Sequence, residues 1–198
     1  MNIVFDLGGV VFNWQPDTIV ESLFEDERTQ NLAKQKIIEH PDWIELDRGT
    51  IAREYAIDRG SARTGLPARD VQRIFDAVPR FLTPIEPTIE LIRELWQSAH
   101  RLFVLSNMQH ASIKYLEEHH EIWEMFDGIV ISSRIGKVKP EIQIYEHLLN
   151  LYELKPAETI FIDDMQENLD AAASLGIQTI RFIDSAQCRQ ALERSCRW

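Results

Sequence analysis

The sequence predicts an α/β fold built on a parallel sheet, and three observations lead there. Five short apolar runs rich in β-branched residues punctuate the chain: Asn2–Asp6, Arg101–Ser106, Gly128–Ser132, Thr159–Asp163 and Thr179–Phe182. From the second run onward, segments of helical periodicity separate them. That alternation belongs to a parallel sheet covered on both faces through right-handed crossovers. The first and fourth runs also end in acids, as Val4-Phe5-Asp6 and Phe161-Ile162-Asp163-Asp164. A strand buried on both faces is almost wholly apolar, so an aspartate at its carboxyl end marks where the sheet meets solvent. In open parallel sheets, ligands bind at that end.

The elements follow in order. The first strand runs straight into Gly8-Gly9, a pair that lets the backbone turn sharply and approach a ligand closely. The stretch 15–83 that comes next contains no convincing strand. It carries helical patterns at Ile19–Phe24, Leu32–Ile38, Ile51–Ile57 and Val71–Val78, broken by Gly49, Gly60 and Gly65-Leu66-Pro67. This stretch reads as an inserted α-helical cap over the sheet's carboxyl edge, leaving 1–14 and 84–198 as the core domain. Pro84 and Pro87 mark the return to that core. Pro87–Ala99 has its apolar residues at Ile89, Ile92, Leu95 and Trp96, a helical stripe. Glu141–Leu151 repeats the pattern with Ile142, Ile144, Tyr145, Leu148 and Leu149, after Pro140 at a first helical position. Met165–Leu175 is an alanine-rich helix stopped by Gly176. Cys188 and Cys196 fall in a C-terminal helix and read as free thiols, not as a disulfide framework.

Bulk properties narrow the function. A chain of 198 residues holds one core domain and a smaller accessory unit. With 44% hydrophobic and 27% charged residues it is globular in composition. A net charge of −11 argues against nucleic acid, whose phosphates need a basic surface. A small anionic substrate held by a few local cations is compatible with it. No apolar run approaches the roughly 20 residues of a membrane span, and no signal region precedes the first strand. A cytoplasmic enzyme, monomeric or a small homo-oligomer, is the expectation.

The chemistry gathers at the strand ends. Asp6, Asp163 and Asp164 would repel one another unless a cation sat among them, and an all-oxygen ligand set suits Mg²⁺. Ser106-Asn107 closes the second strand, where a hydroxyl and an amide either donate to an oxyanion or simply form a turn. Lys139, in Lys137-Val138-Lys139-Pro140-Glu141, stands before a helix N-terminus that already favours anions.

In this order and spacing, Phe5-Asp6-Leu7-Gly8-Gly9-Val10, Leu105-Ser106-Asn107, Lys139-Pro140 and Phe161-Ile162-Asp163-Asp164 resemble the four motifs of the haloacid dehalogenase superfamily. Asn168, Ala171-Ala172 and Leu175-Gly176 extend the likeness, which covers the whole chain. The helical insertion is similar to the C1 cap of subfamily I. The resemblance implies a Rossmann-like sheet of strand order 5-4-1-2-3 and a phosphatase working through an aspartyl-phosphate. Asp6 would be the nucleophile. Mg²⁺ would be held by Asp6, Asp163, Asp164 and the carbonyl of Gly8. Ser106, the amide of Asn107 and Lys139 would hold the phosphoryl oxygens, with Lys139 also offsetting charge at the nucleophile.

One position departs from the pattern. Most phosphatases of the superfamily carry a second aspartate, acting as general acid and base, where this chain has Gly8. Three explanations stand open: a fairly acidic leaving group, such as that of a sugar 1-phosphate; a proton supplied by a cap group or a water; or a weak, regulatory relative. The likeness of Asp-x-Gly to a branch that includes glucose-1-phosphate phosphatases favours the first. Trp14, Trp43, Asp47 and Arg48 are candidates to face the sugar, and Arg134 to contact an anion, but taken singly they read first as structure, the tryptophans as cap core and Arg48 as a surface ion pair. A 2-haloacid dehalogenase is the rival enzyme. It fits the missing acid but has no use for Asp163-Asp164, a pair such dehalogenases lack.

Overall fold

The computed structural model describes residues 1–98 and 100–195. Five parallel strands form one sheet: β1 (Asn2–Phe5), β2 (Arg101–Ser106), β3 (Gly128–Ile131), β4 (Thr159–Asp163) and β5 (Gln178–Arg181). Their spatial order is β3-β2-β1-β4-β5, the expected 5-4-1-2-3 counted from the other edge. In the centre, Phe5 stands level with Val104 on one side and Ile162 on the other.

Strand side chains alternate between faces, and the core divides accordingly. Ile3, Phe5, Leu102, Val104, Ile160 and Ile162 share one apolar cluster. Helices α6 (Glu86–Gln97), α7 (His110–His119) and α11 (Ser185–Ser195) close it with Ile92, Leu116 and Leu192. Val4, Phe103, Leu105 and Phe161 point the other way. They pack on Tyr145 and Leu148 of α9 (Ile142–Leu151) and Leu169 of α10 (Gln166–Ser174). Both faces are therefore apolar, and only the strand ends carry charge. Cys188 is buried on α11 as a free thiol, and Cys196 lies outside the described residues.

Between β1 and α6 come α1 (Pro16–Leu23), α2 (Glu27–Ala33), α3 (Pro41–Arg48), α4 (Arg53–Thr64) and α5 (Ala68–Phe81). A π-helical turn, Lys34–Ile38, prolongs α2. These helices have an apolar cluster of their own, in which Val20, Ile37, Leu46, Val71 and Ile74 are buried. None of the described helices is long and apolar enough to cross a membrane.

Some expected boundaries move. Gly60 does not break a helix but sits inside α4, where a Cβ would stand 3.1 Å from Val71 and 3.6 Å from Ile37. Its missing side chain lets helices approach. Pro140 precedes α9, which is capped at Glu141 and begins at Ile142. Helix α3 has no counterpart among the predicted helical patterns. Pro41 opens it, and Gly49 ends it in the left-handed conformation at φ +79°.

Gly49 also lies against the core, because a Cβ there would stand 2.6 Å from the carbonyl oxygen of Ser133. Gly49→Ala should cost about 1–2 kcal/mol for the left-handed backbone alone, with the clash added. A urea midpoint equal to that of the unmodified protein would contradict this packing.

Candidate active site

The parallel register brings the acids together. Phe5 pairs with Ile162, so Asp6 and Asp163 emerge side by side from neighbouring strands. The N–H of Asp6 donates to the Ile162 carbonyl at 2.9 Å, holding the two strands together one step past β1. On the other side of β1, Ser106 closes β2, and its hydroxyl favours the charged form of the Asp6 carboxylate.

Lys139 comes from the segment before α9 and ends between the two acids. Its Nζ lies 2.9 Å from Asp6 Oδ1 and 2.6 Å from Asp163 Oδ2, with the residue only 2% exposed. Burial works against this ammonium, but Asp6 and Asp163 outweigh it and hold its pKa above the ordinary lysine value. Asn107 fixes the backbone that delivers it. Its Nδ2 donates to the Lys139 carbonyl at 2.9 Å, and its Oδ1 accepts the Lys139 N–H at 2.8 Å.

Asp163 is saturated with donors. Besides Lys139 it accepts the Met165 N–H at 2.8 Å and both of its oxygens accept from Asn168 Nδ2, at 3.0 and 3.1 Å. The Tyr145 hydroxyl in turn donates to the Asn168 carbonyl at 2.9 Å. Asp164 is more open and stands against Gly9, which takes φ +76°. Any Cβ on Gly9 would come within 2.7 Å of Asp164 Oδ2. Gly9 therefore supplies both the turn and the room.

Electrostatically the cluster is unbalanced, with three carboxylates facing one ammonium. Burial raises Asp6 to about 7 against the pull of Lys139, and Asp163 adds to the rise. Burial and Asp163 also raise Asp164. One oxygen from each of Asp6, Asp163 and Asp164 lies within 4.8 Å of the others. Opposite ligands of an octahedral Mg²⁺ are about 4.2 Å apart, so this all-oxygen set closes on such an ion with small adjustment. The residues fit a hard divalent cation.

Above the acids opens a cavity of about 410 Å³. Asp6, Gly8, Asn107, Lys139 and Asp164 line its floor, while Ile38, Trp43, Val78 and Leu82 bring apolar surface from the inserted helices. Trp14 joins them, 5.8 Å from Trp43, which stacks on Phe75 at 5.5 Å. Both tryptophans thus serve as cavity wall and as packing.

Asp6, Ser106, Lys139, Asp163 and Asp164 come together, and Gly8 lines the same cavity. The other candidates make structural contacts. The Asn107 side chain holds the Lys139 backbone through one hydrogen of its Nδ2 and through its Oδ1. Arg48 turns away from the cavity and forks onto Glu141 at 2.8 Å through each terminal nitrogen. Arg134 pairs with Glu117 at 2.6 Å. Asn168, in the first turn of α10, is aimed back at the Asp163 carboxylate, a role its sequence position alone does not disclose. Gln109 also lines the cavity, with no sequence signal to mark it.

Asp47 of α3 is buried against the same cavity, and burial pushes its carboxyl up from 3.8 to about 8, with Asp6 adding to the rise. Between those values the unfolded chain has released a proton that the folded chain keeps, so this contribution to stability is lost as pH rises. Asp47→Asn is neutral and of the same shape. In EDTA its gain in Tm over the unmodified protein should be larger at pH 8 than at pH 5, and a pH-independent difference would contradict a protonated Asp47.

Comparison with known proteins agrees with this geometry. The sequence profile of haloacid dehalogenase-like hydrolases matches residues 3–182. The sesquiterpene phosphatase astK of Aspergillus oryzae is 31% identical over 188 residues, covering 94% of this chain and 92% of that one. The D-ribitol-5-phosphate phosphatase of Bacteroides thetaiotaomicron is 25% identical over 207 residues, covering 96% of each. A HAD family enzyme of the same bacterium, solved with magnesium and inorganic phosphate, superimposes with a TM-score of 0.73 at 25% identity, over 91% of this chain and 92% of that one. Some longer relatives match over a minority of their length, the chain spanning 33% of one and 13% of another.

Proposed function

The chain belongs to the haloacid dehalogenase-like hydrolase family, and we propose that it is a Mg²⁺-dependent phosphatase acting on a small phosphomonoester through an aspartyl-phosphate. The observation that carries this reading is the buried cluster of Asp6, Asp163 and Asp164 around Lys139 at the carboxyl ends of adjacent strands. In it, Asp6 attacks phosphorus and the ester oxygen departs. Water then attacks the phosphorus of the aspartyl-phosphate, releasing phosphate and restoring Asp6. Lys139 lowers the repulsion between the Asp6 carboxylate and the incoming dianion. The Ser106 hydroxyl and the Asn107 backbone N–H hold phosphoryl oxygens. Asp6, Asp163, Asp164 and the Gly8 carbonyl hold the Mg²⁺, which supplies the remaining neutralisation of phosphate charge. Residues 15–83 act as the cap that closes over the site.

The cavity wall bears on the substrate. Trp14, Trp43, Ile38, Val78 and Leu82 offer apolar surface, and burying it against a sugar's hydroxyls would leave those hydroxyls without partners. A phosphate ester with an apolar body suits this wall better than a sugar phosphate, and the sesquiterpene phosphatase relative points the same way. A haloacid dehalogenase, attacking neutral carbon, would have no use for the cation site.

Phosphate release should be measured for a short prenyl monophosphate, glucose 1-phosphate and ribitol 5-phosphate, with Mg²⁺ and with EDTA. We expect Mg²⁺-dependent release, fastest from the prenyl ester, and a loss of at least about 10³-fold in Asp6→Asn. Release that survives EDTA and Asp6→Asn would defeat the reading.

The donors around Asp163 offer a second test. Asn168→Ala should weaken Mg²⁺ binding by about 10–100-fold, the usual effect of removing a partner that orients a metal ligand. Calorimetric titration reads this directly, and unchanged affinity would remove Asp163 from the ligand set.

A further inference from the structure

A departing alkoxide needs a proton, and few groups in the cavity can provide one. Position 8 is glycine and has no side chain to offer. Lys139 is committed to Asp6 and Asp163. Glu39 and Glu167 reach the cavity from exposed positions. Asp47 is different, because it is 9% exposed, lines the same cavity and lies near enough for Asp6 and Lys139 to act on its charge.

Its placement is built, not incidental. The Ser132 hydroxyl, which accepts the Met108 N–H at 2.9 Å, donates to the Asp47 carbonyl. The next residue, Arg48, is locked onto Glu141 beside the Lys139 segment. Gly49 permits the close approach to Ser133 already described. Three consecutive residues thus rivet the end of α3 to the sheet domain, and the side chain they aim into the cavity is a carboxyl. The buried amide of Gln109 lies beside it and steadies its charged form.

We propose that Asp47 is the general acid and base of the reaction, donated to the site by the inserted helices. The step rests on the phosphatase reading above. As the Asp6 carboxylate oxygen bonds to phosphorus and the ester P–O bond breaks, the Asp47 carboxyl passes its proton to the leaving oxygen, which departs as an alcohol. The resulting Asp47 carboxylate then takes a proton from the water that attacks the aspartyl-phosphate, so both groups end as they began. Burial favours the protonated form that the first step needs, with Asp6 acting in the same direction and Gln109 and Lys139 against it. An acidic leaving group is then no longer required to account for the glycine at position 8.

The test compares an alkyl phosphate with p-nitrophenyl phosphate, whose leaving group departs without a proton. Asp47→Asn should lower kcat/KM for the alkyl ester by about 10²–10⁴-fold and for the aryl ester by less than about 10-fold. The aryl ester should also give a burst of p-nitrophenolate in the variant, because release of phosphate from Asp6 becomes limiting. In the unmodified protein, kcat/KM across a series of esters should depend only weakly on leaving-group basicity, a measurement that involves no variant. Equal losses for both esters, no loss for either, or a steep dependence in the unmodified protein would overturn the role of Asp47 while leaving the phosphatase intact. An unmodified protein that turns over neither ester would overturn both.

Discussion

The ammonium of Lys139, buried between Asp6 and Asp163, is the interaction on which the rest depends. Each of these groups would be costly to bury alone. Placed together at 2.6 and 2.9 Å they stabilise one another, yet one positive charge cannot balance them and Asp164 as well. The protein therefore folds around a pit that is still short of positive charge. A divalent cation or a proton can make up the difference, and burial together with Asp163 already pushes the Asp6 carboxyl toward holding a proton. The same deficit that makes the pit expensive makes it suited to a cation and a phosphate together.

Keeping Lys139 in place recruits much of the structure. Asn107, at the end of β2, grips its backbone on both sides, so the strand order that puts β2 beside β1 also sets where the ammonium arrives. Asn168 and the Met165 N–H hold Asp163 from the start of α10, and Tyr145 of α9 holds Asn168. Cation, nucleophile and orienting amides are thus carried by rigid elements packed on the two apolar faces. The inserted helices join this arrangement at one corner, through Asp47, Arg48 and Gly49.

Much of this was legible in the sequence because it is written in local runs. Apolar strands stopping at Asp6 and Asp163 announce both the sheet and its charged edge, since nothing else explains acids at the end of a buried strand. What escaped depends on partners distant in the chain. An ion pair for Arg48 is readable, but its partner Glu141 is not, and nothing local tells that the Asn107 side chain grips the Lys139 backbone. Gly60 reads as a helix breaker until Val71 is seen to need the space. Asp47 is among the polar candidates the sequence offers, and only its burial against the cavity sets it apart from them.

The most direct measurement is to trap the covalent intermediate. A single turnover with ester labelled in its phosphoryl group would be quenched in acid, digested and mapped by mass spectrometry. The account predicts phosphate on the peptide containing Asp6, labile to hydroxylamine and absent from Asp6→Asn. Phosphate release in that turnover with no label on Asp6, or with label on another residue, would contradict it.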